Sequence, residues 1–131
     1  MILNLTQHSA SDEQIAEGVV NVPSECRERL TTLLTFDTLP SQEEIMARAE
    51  KLAEYAFRIL RDSGDVLNGT EVMIGGAPFF MGPLTNALAE CGLKAVFAFS
   101  RRESVETVIR HGDGTSQTRK SAVFRHLGFV R

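Results

Sequence analysis

The stretch that most narrows the fold is "EVMIGGAPFFMGPLTNALAECGLKAVFAFS". Val72–Ile74 is a short apolar strand, Gly75 and Gly76 a turn, Pro83–Glu90 a helix closed by Gly92, and "KAVFAFS" a second buried strand. Strand, helix and strand in that order make two parallel strands joined by a right-handed crossover. The chain is therefore expected to build an α/β sheet.

The remaining segments extend that sheet. Ile2–Leu5 reads as a buried strand, and "SDEQ" after it as a capping box in which Ser11 and Gln14 satisfy each other's backbone amides. A helix from Asp12 should stop at Gly18. "NVPSECRERLTTLLTF" predicts a second, short helix behind Pro23, with Leu30, Leu33 and Leu34 apolar. The clearest element is "LPSQEEIMARAEKLAEYAFRILRDSG". Ser41 and Glu44 form a second capping box there, and Ile45, Ala49, Leu52, Ala56 and Ile59 make an apolar face. After the third parallel strand, Val105, Thr107 and Ile109 alternate with Glu106 and Arg110. Val123, Arg125 and Leu127 likewise alternate with Phe124 and His126, around a Gly-Asp-Gly turn. The expectation is one domain over residues 1–131, a Rossmann-like sheet of three parallel strands with helices on its faces, extended by a C-terminal β-hairpin.

Composition trims the functional classes. A chain of 131 residues with 43% hydrophobic and 24% charged residues is an ordinary globular one. No apolar stretch approaches the roughly 18 residues of a membrane span, and no basic segment precedes an apolar run at the start, so the expected location is the cytoplasm. A formal charge of −3 argues against a duplex-DNA or membrane-surface binder, though a local basic cluster can still hold a small anion. Cys26 and Cys91 fit no metal spacing and read as buried free thiols. With no His/Cys/Asp/Glu cluster of ligand spacing, neither a metal nor another cofactor is expected.

In this strand order three segments fall at strand ends along one sheet edge: Thr6, Gln7 and His8 after the first strand, Gly75, Gly76 and Ala77 after the second, and Ser100, Arg101 and Arg102 after the third. That edge is where open α/β sheets bind ligands. The Gly75–Gly76 pair allows close backbone approach before a helix start, which suits a phosphate; a bare structural turn is the alternative. Phe79, Phe80 and Met81 fit base stacking, the core or a dimer interface. His8 is a candidate acid or base, a ligand hydrogen-bonding group or a helix cap. Arg101 and Arg102 are phosphate forks by type.

"LNLTQHSASDEQ", "GLKAVFAFSRRESVE" and "GTSQTRKSAVFRHLGFVR" together resemble small stand-alone CRISPR-associated Rossmann-fold (CARF-like) proteins, which include proposed ring nucleases. Thr6 and His8 match the first-strand segment of that family, Ser100 with Arg101 or Arg102 the third-strand segment, and Arg125 with His126 the closing strand. "GGAPFFMG" departs from the family, where a more polar glycine turn stands. The resemblance implies a homodimer that binds a cyclic oligoadenylate across its two-fold axis, in antiviral defence or its suppression. His8, Arg101 and Arg102 would then carry metal-independent cleavage, and Thr6, Gln7, Gly75, Gly76, Ala77 and Ser100 would contact ligand. The rival reading is a mobile-element accessory protein of the same fold, without catalysis, whose surface binds another protein.

Overall fold

The computed structural model describes residues 1–65 and 68–131. The chain divides into two compact units, a body of Met1–Ala98 with Phe129–Arg131, and a ribbon of Phe99–Gly128.

In the body, β1 (Ile2–Asn4) leads through α1 (Asp12–Ala16) to β2 (Val19–Asn21). After a single 3-10 turn come α2 (Arg27–Leu34) and α3 (Gln42–Asp62), then β3 (Thr70–Met73), α4 (Pro78–Glu90) and β4, which starts at Leu93. Strand β1 pairs in parallel with β2 on one side and β3 on the other, and β3 pairs in parallel with β4. The α/β sheet expected from sequence is present, with four parallel strands instead of three. The additional one is β2. It has three residues, too few to show a period, and its pairing with Ile2–Asn4 is what makes it a strand.

One sheet face is deeply covered. Leu3, Leu5, Val72, Ile74 and Leu93 pack there against α2, α3 and α4, with Leu52, Ala56, Phe80, Leu84 and Leu88 at 0% exposure. Helix α3 starts where expected: Ser41 Oγ accepts from the Glu44 amide at 3.1 Å. The second half of the predicted capping box goes elsewhere, because the Glu44 carboxylate takes Arg48 at 2.8 Å. Arg48 also donates to the Thr35 carbonyl beyond the end of α2, and its guanidinium lies 4.4 Å over the Phe36 ring. Phe36 meets Phe79 and Phe80 edge-on, at 5.0 and 5.2 Å. The other face carries a smaller cluster of Ile2, Val19, Met73 and Val96, with Ala10 and Phe129 against it; α1 buries no residue. Cys26 and Cys91 are free and half-buried, more open than the buried thiols expected.

The ribbon consists of the outer part of β4 (Leu93–Arg110) and of β5 (Ser116–Val130), antiparallel to it. The His111 amide donates to the Thr115 carbonyl across the turn at 2.9 Å, and Gly114 sits at φ +86°. The sequence reading ends the third parallel strand at Ser100 and starts a separate hairpin strand near Val105. In the structure this is one strand. No proline or glycine interrupts residues 93–110, so nothing breaks the extended backbone.

Candidate functional site

The parallel strands run in the order β2-β1-β3-β4. The chain leaves β1 toward β2 and then crosses back to β3, so its winding reverses between β1 and β3. Outside the carboxyl ends of strands at such a reversal, helices on opposite faces leave a crevice. A cavity of about 570 Å³ occupies this position, within the range of about 300–1,000 Å³ for small-molecule sites. Its polar wall is Thr6, Gln7, His8 and Ser9 with Ser11, which caps α1, and Gln14 of α1, and its apolar wall is Met73, Ile74, Phe97 and Ala98. Gly75 and Gly76 complete it.

The loop after β1 is shaped by Asn4, a polar residue only 2% exposed. The Thr6 amide donates to Asn4 Oδ1 at 3.0 Å, and the Thr6 hydroxyl donates to the same oxygen at 2.7 Å. Because a backbone N–H can only donate, Oδ1 must face it, which fixes the amide's orientation. Asn4 Nδ2 then donates to the His8 carbonyl at 2.8 Å and to Asn21 Oδ1 at 2.9 Å. Asn21, its neighbour across the strands, also accepts from the Ala10 amide at 2.9 Å. One buried amide and its partner thus hold Thr6, His8 and Ala10 in place. Sequence reasoning missed both. The available signal was an asparagine inside the apolar run "ILNL", since a buried polar group needs hydrogen-bond partners.

This network limits what Thr6 can do. Its hydroxyl proton has acceptors in Asn4 Oδ1 and, at 3.1 Å, the His8 carbonyl. What remains toward a ligand is lone pairs, so Thr6 can accept from a ribose hydroxyl or an exocyclic amine but is a poor phosphate donor. The Gln7 carbonyl accepts from Arg27 at 3.2 Å, and its side chain reaches Thr35 at 3.4 Å. The His8 side chain is exposed at the cavity wall while its backbone is held by Asn4.

The glycine pair divides its work. Gly76 has φ +144°, a backbone that strains any residue with a side chain. Gly75 has no such requirement; a methyl added there would rest 3.7 Å from Thr6 Cγ2, beside the cavity. The residues "APFFMG", which the sequence reading leaves outside its Pro83–Glu90 helix, are the beginning of α4. Ala77 is its N-cap without a side-chain bond, and Pro78 is its first residue, five positions earlier than the sequence indicated. The helix start directly behind Gly76 has no side-chain cap; Pro78 lacks an N–H and the Phe80 amide donates to the Ala77 carbonyl at 2.9 Å, so the partial positive charge and the amides of Ala77 and Phe79 are what it offers. Phe80 is fully buried and Phe79 packs on Phe36, so the run Phe79–Met81 is partly consumed by the core and does not form one exposed contact.

Of the nine candidates, the structure brings Thr6, Gln7, His8, Gly75 and Gly76 together. Ala77 packs against the main core instead. Ser100, Arg101 and Arg102 are interior residues of β4 within the ribbon, not a strand end. There Arg101 donates to Glu103 at 2.8 Å, and Arg125 lies 3.8 Å from the same carboxylate. These two cations, Arg101 foremost, hold the Glu103 carboxyl below its ordinary range. No lysine or arginine lines the cavity among the described residues.

Residues 1–130 match the family described as uncharacterized protein MJ1673. The chain belongs to that family. No curated protein matches it, and no solved structure does. Among the described residues, no helix is long and apolar enough to cross a membrane.

Proposed function

We propose that the cavity between the ends of β1 and β3 binds a cyclic oligoadenylate or a related small nucleotide. The observation that carries this reading is the company kept by Thr6, Gln7, His8, Gly75 and Gly76 in one crevice at the winding reversal. Phe97, Ile74 and Met73 offer an apolar wall for a base, and Thr6 offers an acceptor for a ribose hydroxyl or adenine amine. The amides behind Gly76 suit a phosphate.

Cleavage is the further half of the proposal. A ribose 2′-hydroxyl held in line with the adjacent phosphorus attacks it and gives up its proton to water, the bond to the 5′-oxygen breaks, the 5′-oxygen is protonated, and a 2′,3′-cyclic phosphate forms. His8 protonates the leaving oxygen or positions the phosphate, and the backbone at Gly75 and Gly76 stabilises the charge. Arg101 and Arg102 belong to this reading through the family resemblance. A homodimer presents two copies of the cavity to a symmetric ring. The accessory-protein reading has its own support in the exposed apolar side chains of the ribbon.

Titration of cyclic tetraadenylate and hexaadenylate tests the proposal. Wild type should bind one of them, and His8→Ala should keep binding while losing roughly a hundredfold or more in cleavage rate. Replacing Arg101 and Arg102 together with Ala should weaken binding by about 10- to 100-fold if they hold phosphate. A wild type that neither binds nor cuts either ring overturns the reading in favour of the accessory protein.

A further inference from the structure

The ribbon is unusual for a monomer. Two antiparallel strands alone are at best marginally stable in water. Yet Phe99, Val105, Val123 and Leu127 are 55%, 40%, 44% and 48% exposed. Alternation puts these four odd-numbered residues on one face, and the Glu103–Arg125 pair ties the odd positions of β4 to those of β5. The even face also exposes Val108 and Phe124, at 59% and 74%, but carries fewer apolar residues than the odd face, and an exposed apolar face marks a contact surface.

Charge indicates the occupant. Residues 99–128 hold six lysines and arginines against three carboxylates, a formal +3. With −3 on the whole chain, the body carries −6. Two ribbons laid face to face would bring like charges together, whereas a ribbon on the body of a second copy brings +3 to −6. A two-fold axis makes that contact reciprocal, each copy giving one ribbon and receiving one.

We infer that Phe99–Gly128 is a dimerisation arm that packs its odd-numbered face on the acidic body of a second copy. The inference rests on the ribbon's own side chains and charge, not on the nucleotide reading, and its test uses no ligand. Sedimentation at micromolar concentration should show a dimer that weakens by at least about tenfold between roughly 0.1 and 1 M salt, where the screening length falls from about 10 to 3 Å. Val123→Lys with Leu127→Lys should give a folded monomer. In mixed light and heavy-isotope protein, a photo-cross-linking phenylalanine analogue in place of Ser121, on the odd-numbered face, should join body peptides of the other copy, whereas the same probe in place of Thr118, on the opposite face, should not. A monomeric wild type, a dimer indifferent to the double substitution, or cross-links confined to ribbon–ribbon or intrachain pairs each overturns the inference. So does a ribbon whose amides gain exchange protection from added RNA but not from rising protein concentration.

Discussion

The body and the ribbon solve the problem of an extended strand in opposite ways. In the body, the inner part of β4 lies beside β3, and Val96 is completely buried. In the ribbon, the same strand continues beside β5 with most of its side chains exposed, and its ion pairs, Glu106–Lys120 at 3.6 Å among them, are exposed too. One strand thus serves as core at one end and as surface at the other. Stability should therefore reside in the body, and the ribbon's sequence should answer to a partner.

The largest effect that would break this contrast lies with two phenylalanines. Phe80→Ala removes a fully buried ring and should cost about 3–5 kcal/mol in urea unfolding. Phe124→Ala removes a ring 74% exposed and should stay within about 0.5 kcal/mol. Comparable losses for the two would remove the distinction. Next comes Asn4→Ala, which strands the Thr6 amide, the His8 carbonyl and Asn21 and should cost about 2–3 kcal/mol. Ligand contacts of the 6–10 loop should be lost with it.

The glycines sharpen the contrast inside the site. Gly76→Ala should destabilise by about 1–3 kcal/mol through backbone strain. Gly75→Ala should leave the melting temperature nearly unchanged and weaken ligand binding, because its methyl sits beside the cavity. Equal melting temperatures for the two variants would contradict the division of labour.

The smallest effect is a pH dependence in the ribbon. Asp113 accepts from the Thr115 hydroxyl at 2.6 Å and from its amide at 3.0 Å, which lowers its carboxyl from the ordinary range. A lowered folded-state value means the turn is stabilised above the usual carboxylate range and loses that stabilisation as pH falls through the lowered value. Protection of the amides at residues 111–115, taken relative to their unfolded exchange rates at the same pH, should fall in acid, and Asp113→Asn should flatten that response. A turn equally protected at all pH values would show that these bonds do not order it.

Sequence reasoning succeeded where a pattern is long or chemically redundant. Helix α3 shows its apolar face and its Ser41 cap openly, and the β3–α4–β4 unit determines the parallel sheet. It missed β2 because the three residues Val19–Asn21 carry no period; their strand character comes from pairing with β1. It ended β4 early because "SRRE" looks polar enough to be a loop, whereas unbroken backbone pairing with β5 extends through it. That one boundary moved Ser100, Arg101 and Arg102 from a strand end into a strand interior. The first half of the site was legible from position alone, since Thr6–His8 and Gly75–Gly76 follow strands β1 and β3 directly. Asn4 was not, because its role is visible only once the loop's amides and carbonyls fold back on it.

The proposed recognition of a nucleotide ring by this crevice, and not by the ribbon alone, can be read residue by residue. Amide chemical shifts recorded during titration with cyclic tetraadenylate, and separately with cyclic hexaadenylate, test it most directly. The account predicts saturable shifts for one of the rings at residues 6–9 and at Gly75 and Gly76, abolished when Asn4→Ala disorganises the loop. Shifts confined to residues 99–128, or none for either ring at saturating concentration, would contradict it.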